Sequence, residues 1–285
     1  MKVADAANRL LLTSQITKAL AQNIDPPILW TSLPTAQPLV GQLGERAVVY
    51  YCGDDFGALS GVDHEAVEHY EERLVERCDL VLAASERLAE KFPADRTRLL
   101  PHGVDLELFS QTAGRSVHLP KGEKIAGFYG SFSEWIDVDL LVRTAKTLTD
   151  WVFVFVGPVH TYAGELKALK NVTFVGEQTH SALPGFAQHW NVSLLPFRDN
   201  AQIRACNPLK LREYLAAGTP IVATEFPALE PYREFISTAC SAEDFAQAIR
   251  RAGDEVPRRE ARSASVSKES WDQRATDVAT ALQAL

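Results

Sequence analysis

The residues best placed to do chemistry lie in RACNPLKLREYLAAGTPIVAT, positions 204–224. Asn207 suits an N-cap, Pro208 the first helical position and Gly218 the C-terminal cap, so a helix over 208–217 leading into a buried strand is predicted. Lys210 falls in its first turn and Glu213 one turn later. A helix amino end carries partial positive charge, so a lysine there is unfavourable unless an anion shares the site. A bound diphosphate would take the backbone N–H groups of the first turn, from Asn207 and Pro208 through Leu209, and pair with Lys210. Arg204, just upstream, could assist, and Glu213 could accept hydrogen bonds from a ribose diol. The competing reading is a surface ion pair three residues apart, worth a few tenths of a kcal/mol. On a helical wheel Leu211, Tyr214 and Leu215 face the core, and Lys210 and Glu213 face outward together.

A second candidate is YYCGDDFG, residues 50–57, at the end of an apolar run. Asp54 or Asp55 could contact a substrate hydroxyl or, in a reaction that inverts configuration, act as its base. The adjacent carboxylates could instead sit on Mg²⁺, or simply form an acidic turn before a helix. His102, in LPHGVD, is either a site residue or a structural turn residue, and Gly103 beside it serves backbone geometry. The remaining histidines show no ligand spacing; His180 and His189 read as exposed or capping residues.

These groups need a scaffold, and the apolar pattern supplies one. The runs PPILWTS, RAVVYYC, DLVLAAS and RTRLLPHG alternate with helical segments before residue 110. Ser85 caps one of those helices. After a polar stretch at 110–122 come KIAGFYG, WVFVFVGP, NVTFVGE, VSLLPF, PIVATEF and ISTACS, separated by helices near 138–149, 162–169, 182–189, 208–217, 228–235 and 241–252. Continuous apolar strands between helices mean parallel sheets covered on both faces. Two Rossmann-like α/β units are therefore expected, with a ligand site at the carboxyl ends of the strands, in a cleft between the sheets. An amphipathic helix over 3–21 should open the chain. A final helix should close it, with Trp271, Ala275, Val278 and Leu282 on one face.

Composition narrows the function. The 285 residues carry 29 Lys+Arg against 37 Asp+Glu, a formal charge of −8, and residues 1–118 alone hold 11 against 17, a net of −6. That balance argues against a nucleic-acid binder and against strong docking on anionic lipid. The 4 cysteines show no CxxC pairing and read as reduced cytosolic thiols. Neither a signal peptide nor a membrane-spanning run is evident.

The segments NPLKLREYLAAGTPIVAT and VLAASERLAEKF…RLLPHGVDLELF resemble the GT-B glycosyltransferases, family 4 in particular. FVFVGP, NVTFVGE, VSLLPF and the terminal SWDQRA helix resemble the same family, in the same order, over residues 26–282. The resemblance implies an acceptor-side domain at 1–115, a nucleotide-sugar domain at 116–262, and a helix at 263–285 packing back on the first. It implies a cytoplasmic hexosyltransferase using a UDP- or GDP-sugar and a saccharide or lipid-linked acceptor in polysaccharide or glycolipid assembly, with retention. No metal and no cofactor beyond the donor are implied. By similarity Glu213 would hold the ribose, Lys210 and the first turn the diphosphate, and Gly130 and Ser131 would approach phosphate or sugar. Gly130 could equally make only a tight turn. The chain departs from the family in having Ala205 where a second Glu is common, and in lacking Arg and Lys in GSFSEWIDVD. The first domain is also short by several strands. That shortness admits a non-catalytic nucleotide-sugar-binding subunit, completed by a partner chain at the sheet edge. Peripheral association with the inner membrane face and an epimerase of the same fold are further alternatives.

Overall fold

The computed structural model describes residues 2–20, 25–256 and 258–285. The chain separates into two compact units: residues 1–101, 205–207 and 276–285 form the first, and residues 102–204 and 208–275 the second. The opening helix forms over Lys2–Leu20, but Leu10, Leu11 and Leu12 are all exposed. Residue 21 lies outside the described residues. Among the described residues no helix is long and apolar enough to cross a membrane.

The first unit holds a parallel 4-stranded sheet of β1 (Ile28–Thr31), β2 (Ala47–Cys52), β3 (Leu80–Ala83) and β4 (Thr97–Leu99), in that spatial order. All four apolar runs identified in the sequence became strands. Strands laid down in one direction with right-handed crossovers put every connection on the same face. Alternate residues confirm it. Val48, Tyr50, Cys52, Val81 and Ala83 pack with Leu74, Val75 and Leu88 from the connecting segments. Their neighbours Val49, Leu80 and Leu82 point the other way. That opposite face is covered by Val278, Ala281 and Leu282, from the terminal helix Trp271–Leu282. The packed stripe of this helix is therefore not the expected one throughout, since Trp271 and Ala275 are exposed. Ser85 caps its short helix Glu86–Ala89 by accepting the Leu88 amide at 3.2 Å.

The second unit is a parallel 6-stranded sheet: β5 (Lys124–Tyr129), β6 (Trp151–Val156), β7 (Val172–Gly176), β8 (Val192–Leu195), β9 (Ile221–Ala223) and β10 (Ile236–Thr238). Their spatial order is β7-β6-β5-β8-β9-β10. The chain builds outward from β5 in one direction, then returns to β8 and builds outward in the other. The β5/β8 boundary is thus the topological switch point of a doubly wound sheet. Gly127 in β5 has no side chain because Trp190 packs into that space, and a Cβ would collide with its ring.

The polar 110–122 stretch is not a loose linker. The Gln188 amide donates to the Phe109 carbonyl at 2.8 Å and the Gln111 carbonyl at 2.7 Å, and His189 donates to the Ala113 carbonyl at 2.8 Å. Leu119 is buried. Residues 102–115, assigned to the first domain from sequence, cluster with the second unit for this reason, and so do residues 263–275. The expected helix at 228–235 is a 3-10 helix, Pro227–Phe235, with Pro231 inside it. A prolines-containing segment lacks the amide that a continuous α-helical ladder needs.

Candidate functional site

The helix Leu209–Ala217 leaves the β8 side of the switch point. Its cap lies one residue later than the sequence suggested. Pro208, with φ −70° and ψ 120°, is the N-cap, and Leu209 is the first helical residue. Pro208 is still extended, and its carbonyl accepts the Leu211 amide at 3.2 Å. Asn207 clusters with the first unit, together with Ala205 and Cys206. Ala205 sits in that unit's core, and its carbonyl accepts the Ser85 hydroxyl at 2.6 Å. Gly218 is the expected C-terminal cap, left-handed at φ 78°.

The expected outward face of this helix does not exist. Residues 211–219 are all buried, and Glu213 is 3% exposed. Polar side chains survive there because each finds a partner from distant sequence. Arg212 donates to Glu269 at 2.6 Å, and Glu269 also accepts the Tyr232 hydroxyl at 2.6 Å and Arg274 at 3.4 Å. The Tyr214 hydroxyl accepts the Tyr129 amide at 3.1 Å. Glu213 Oε1 lies 2.9 Å from His180 Nε2, and the His180 side chain is 53% exposed. The His180 ring stands edge-on to Phe109, with centroids 5.3 Å apart. Tyr129, at the end of β5, is wholly buried. Burial drives its phenol well above the ordinary range, and the Glu213 charge drives it further. The phenol therefore stays neutral, and its hydroxyl completes no hydrogen bond of normal geometry.

Lys210 and Gly130 meet. Gly130 follows β5 at φ 120°, and a Cβ there would collide with the Lys210 side chain. The positive φ requires glycine, and the absent Cβ leaves room for the end of the Lys210 side chain. Lys210 Nζ lies 5.7 Å from the Phe128 ring centroid, within cation–π range. Gly157, after β6, in turn needs its missing Cβ to clear the Gly130 carbonyl. Ser131 Oγ is 2.8 Å from Ser133 Oγ. The carboxyl end of β5, the first turn of Leu209–Ala217 and the β7 loop bearing His180 thus converge within one unit. An open groove of 390 Å³, lined by Asp105, Glu107, Leu108, Gln111, Ser181 and Pro184, includes the residue after His180.

Arg204 does not join Lys210. Both its guanidinium contacts go to Asp199, at 2.6 and 2.7 Å, on the exposed surface. Those bonds hold the Asp199 carboxyl below its usual range. The His102 ring lies tilted against Trp271, at 6.3 Å between centroids, and its carbonyl accepts from Arg274 Nε at 3.5 Å. Gly103 is dictated by close approach, since a Cβ would sit 2.8 Å from the Trp271 amide nitrogen.

The carboxylates after β2 belong to the first unit. Asp54 is exposed, and its carbonyl lies 3.3 Å from Cys52 Sγ. Asp55 is tied to Lys91 at 2.7 Å. Lys91 also bonds Glu71 at 3.2 Å, and Glu71 accepts the Tyr50 hydroxyl at 2.5 Å. Burial works to lower the Lys91 ammonium, but its bonds to Asp55 and Glu71 outweigh that and hold it above its ordinary value. Burial, aided by the Glu71 charge, pushes the Cys52 thiol up to about 12. Among the described residues, no three His, Cys, Asp or Glu side chains are grouped to hold a metal ion.

His180 was missed as a partner of this site. The signal was present in GEQTH: a histidine just beyond the carboxyl end of a parallel strand is where such sheets bind ligands.

Two parallel α/β units of this kind define the GT-B glycosyltransferase fold, and solved structures agree. The chain is similar to sucrose-phosphate synthase from Thermosynechococcus elongatus, with a TM-score of 0.75 at 20% identity over 95% of this chain and 76% of that one. It is similar to HepE of Anabaena, solved in complex with UDP, with a TM-score of 0.74 at 13% identity over 96% and 82%. Residues 123–254 match the family described as glycosyl transferases group 1. The Bacillus subtilis (strain 168) protein TuaH, named as a glycosyltransferase of teichuronic acid biosynthesis, is 29% identical over 238 residues, or 76% of this chain. The chain spans 60% of the length of that relative.

Proposed function

We propose that the protein is a glycosyltransferase that moves a sugar from a UDP- or GDP-sugar to an acceptor hydroxyl in polysaccharide or glycolipid biosynthesis, with retention at the anomeric carbon. The bond from the anomeric carbon to the diphosphate breaks, and the diphosphate leaves with the electron pair. The acceptor oxygen bonds to that carbon and gives its proton to the departing diphosphate. The observation that carries the reading is Lys210, packed across Gly130 at the amino end of Leu209–Ala217. There a cation and the positive amino end of a helix can both receive the departing charge. The His180–Glu213 pair, one turn on, supplies polar contacts for the ribose. The relatives support the donor class, since HepE is solved with UDP and with UDP-glucose. Calorimetry with UDP and GDP tests it. Lys210→Ala should weaken the binding nucleotide about tenfold, a loss of about 1.4 kcal/mol; equal affinity in both proteins would remove the lysine from the site.

A second reading, nucleotide-sugar binding without transfer, is favoured by one observation: Asp55 is engaged by Lys91. That contact occupies a carboxylate oxygen that an acceptor hydroxyl would otherwise meet. Sugar release or transfer from a bound donor, followed by product analysis, separates the two.

A further inference from the structure

The carboxylate at the proposed ribose site is covered. Glu213 is 3% exposed, and the group lying over it is His180, whose side chain is half exposed. An ionised carboxylate only accepts hydrogen bonds, so the 2.9 Å contact requires the proton on His180 Nε2. In the neutral ring this leaves Nδ1 as a lone-pair acceptor, and it has no hydrogen-bond partner among the described residues. Glu213 thus fixes the tautomer, and Phe109 against the ring edge fixes its tilt.

Spacing along the helix says what meets that acceptor. Lys210 and Glu213 lie three residues apart, so their faces are about 5–6 Å apart. In a nucleoside diphosphate the ribose is the next polar unit after the phosphates. With the diphosphate at Lys210, as proposed above, the ribose falls beside His180. Its hydroxyls are donors in need of an acceptor. The groove that includes Ser181 provides open space next to this position in the chain.

We infer that His180, and not Glu213, receives a ribose hydroxyl of the donor nucleotide, and that Glu213 is a positioning residue acting through it. This rests on the nucleotide reading above, and the experiment keeps the two apart. Calorimetry compares UDP with 2′,3′-dideoxy-UDP on the native chain, H180A, H180N, E213Q and K210A; if GDP is the nucleotide that binds, GDP and its dideoxy form take their place. The native chain should prefer the ribonucleotide by about three- to tenfold, the range of one net hydrogen bond. H180A should bring that ratio to about one, while H180N, which keeps an acceptor near the Nδ1 position, should restore part of it. E213Q should lower the ratio and move the His180 ring ¹⁵N signals away from the Nε2–H tautomer, a change that mere loss of packing would not produce. An unchanged ratio in H180A, or tighter UDP binding by it, would overturn the inference and return the ribose to Glu213. A native chain that binds neither UDP nor GDP would instead overturn the nucleotide reading itself.

Discussion

Among the described residues each unit buries one glutamate, and the two are kept in opposite ways. Glu71, 6% exposed, receives the Tyr50 hydroxyl and the Lys91 ammonium, and Lys91 is tied again to Asp55. Glu213 receives one half-exposed imidazole. A carboxylate with several fixed partners is a structural element, because every group that neutralises it is itself held. A carboxylate with one partner open to solvent transmits its orientation outward. The contrast separates a group that stabilises a fold from one that equips a site, although burial alone would rank them alike.

Glu71→Ala should give the largest effect. Removing one member of a buried pair costs about 3–5 kcal/mol. Lys91 is 33% exposed and keeps Asp55, which reduces the expected loss; about 2–3 kcal/mol is expected in a denaturant titration. Glu213→Ala should cost less, about 1–2 kcal/mol, because His180 can return to water. A larger loss for Glu213 than for Glu71 would break the contrast.

The thiols sharpen it next. Burial holds Cys52 and Cys78 up at about 12, so each retains its proton where an unfolded thiol, near 9, would lose it. Protons bound more tightly in the folded state stabilise it at neutral pH, and that contribution is lost as pH rises from about 9 towards about 12. Native alkylation followed by mass spectrometry should mark exposed Cys240 and spare these two. Labelling of Cys52 would mean that the Glu71 cluster opens readily. Smallest of all is Arg204→Ala: with its exposed contacts spent on Asp199, nucleotide affinity should change by less than about twofold.

The strands were legible in the sequence because buried parallel strands are written as local apolar runs, and each run from PPILWTS to ISTACS became one. The helix Leu209–Ala217 was legible in its extent and in Gly218, but not in its surroundings. KLREY looks like a helix with a wet face. Arg212 and Glu213 are satisfied by Glu269 and His180, 57 and 33 residues away in sequence, and no local pattern reports such partners. Lys210 could be placed at the helix start from spacing, while its contact with Gly130 depends on two segments that only the sheet brings together. The 110–122 stretch misled for a related reason: polar composition suggested a linker, and the hydrogen bonds from Gln188 and His189 that pin it come from the turn after Pro184–Ala187.

The back of the first sheet is sealed by Val278, Ala281 and Leu282, which follow its last strand by nearly 180 residues. A ribosome releasing this polypeptide in order therefore finishes every strand of that sheet long before the material that shields it exists. During synthesis Val49, Leu80 and Leu82 wait without cover, so nascent chains stalled ahead of residue 276 should be the species that chaperones hold and proteases find.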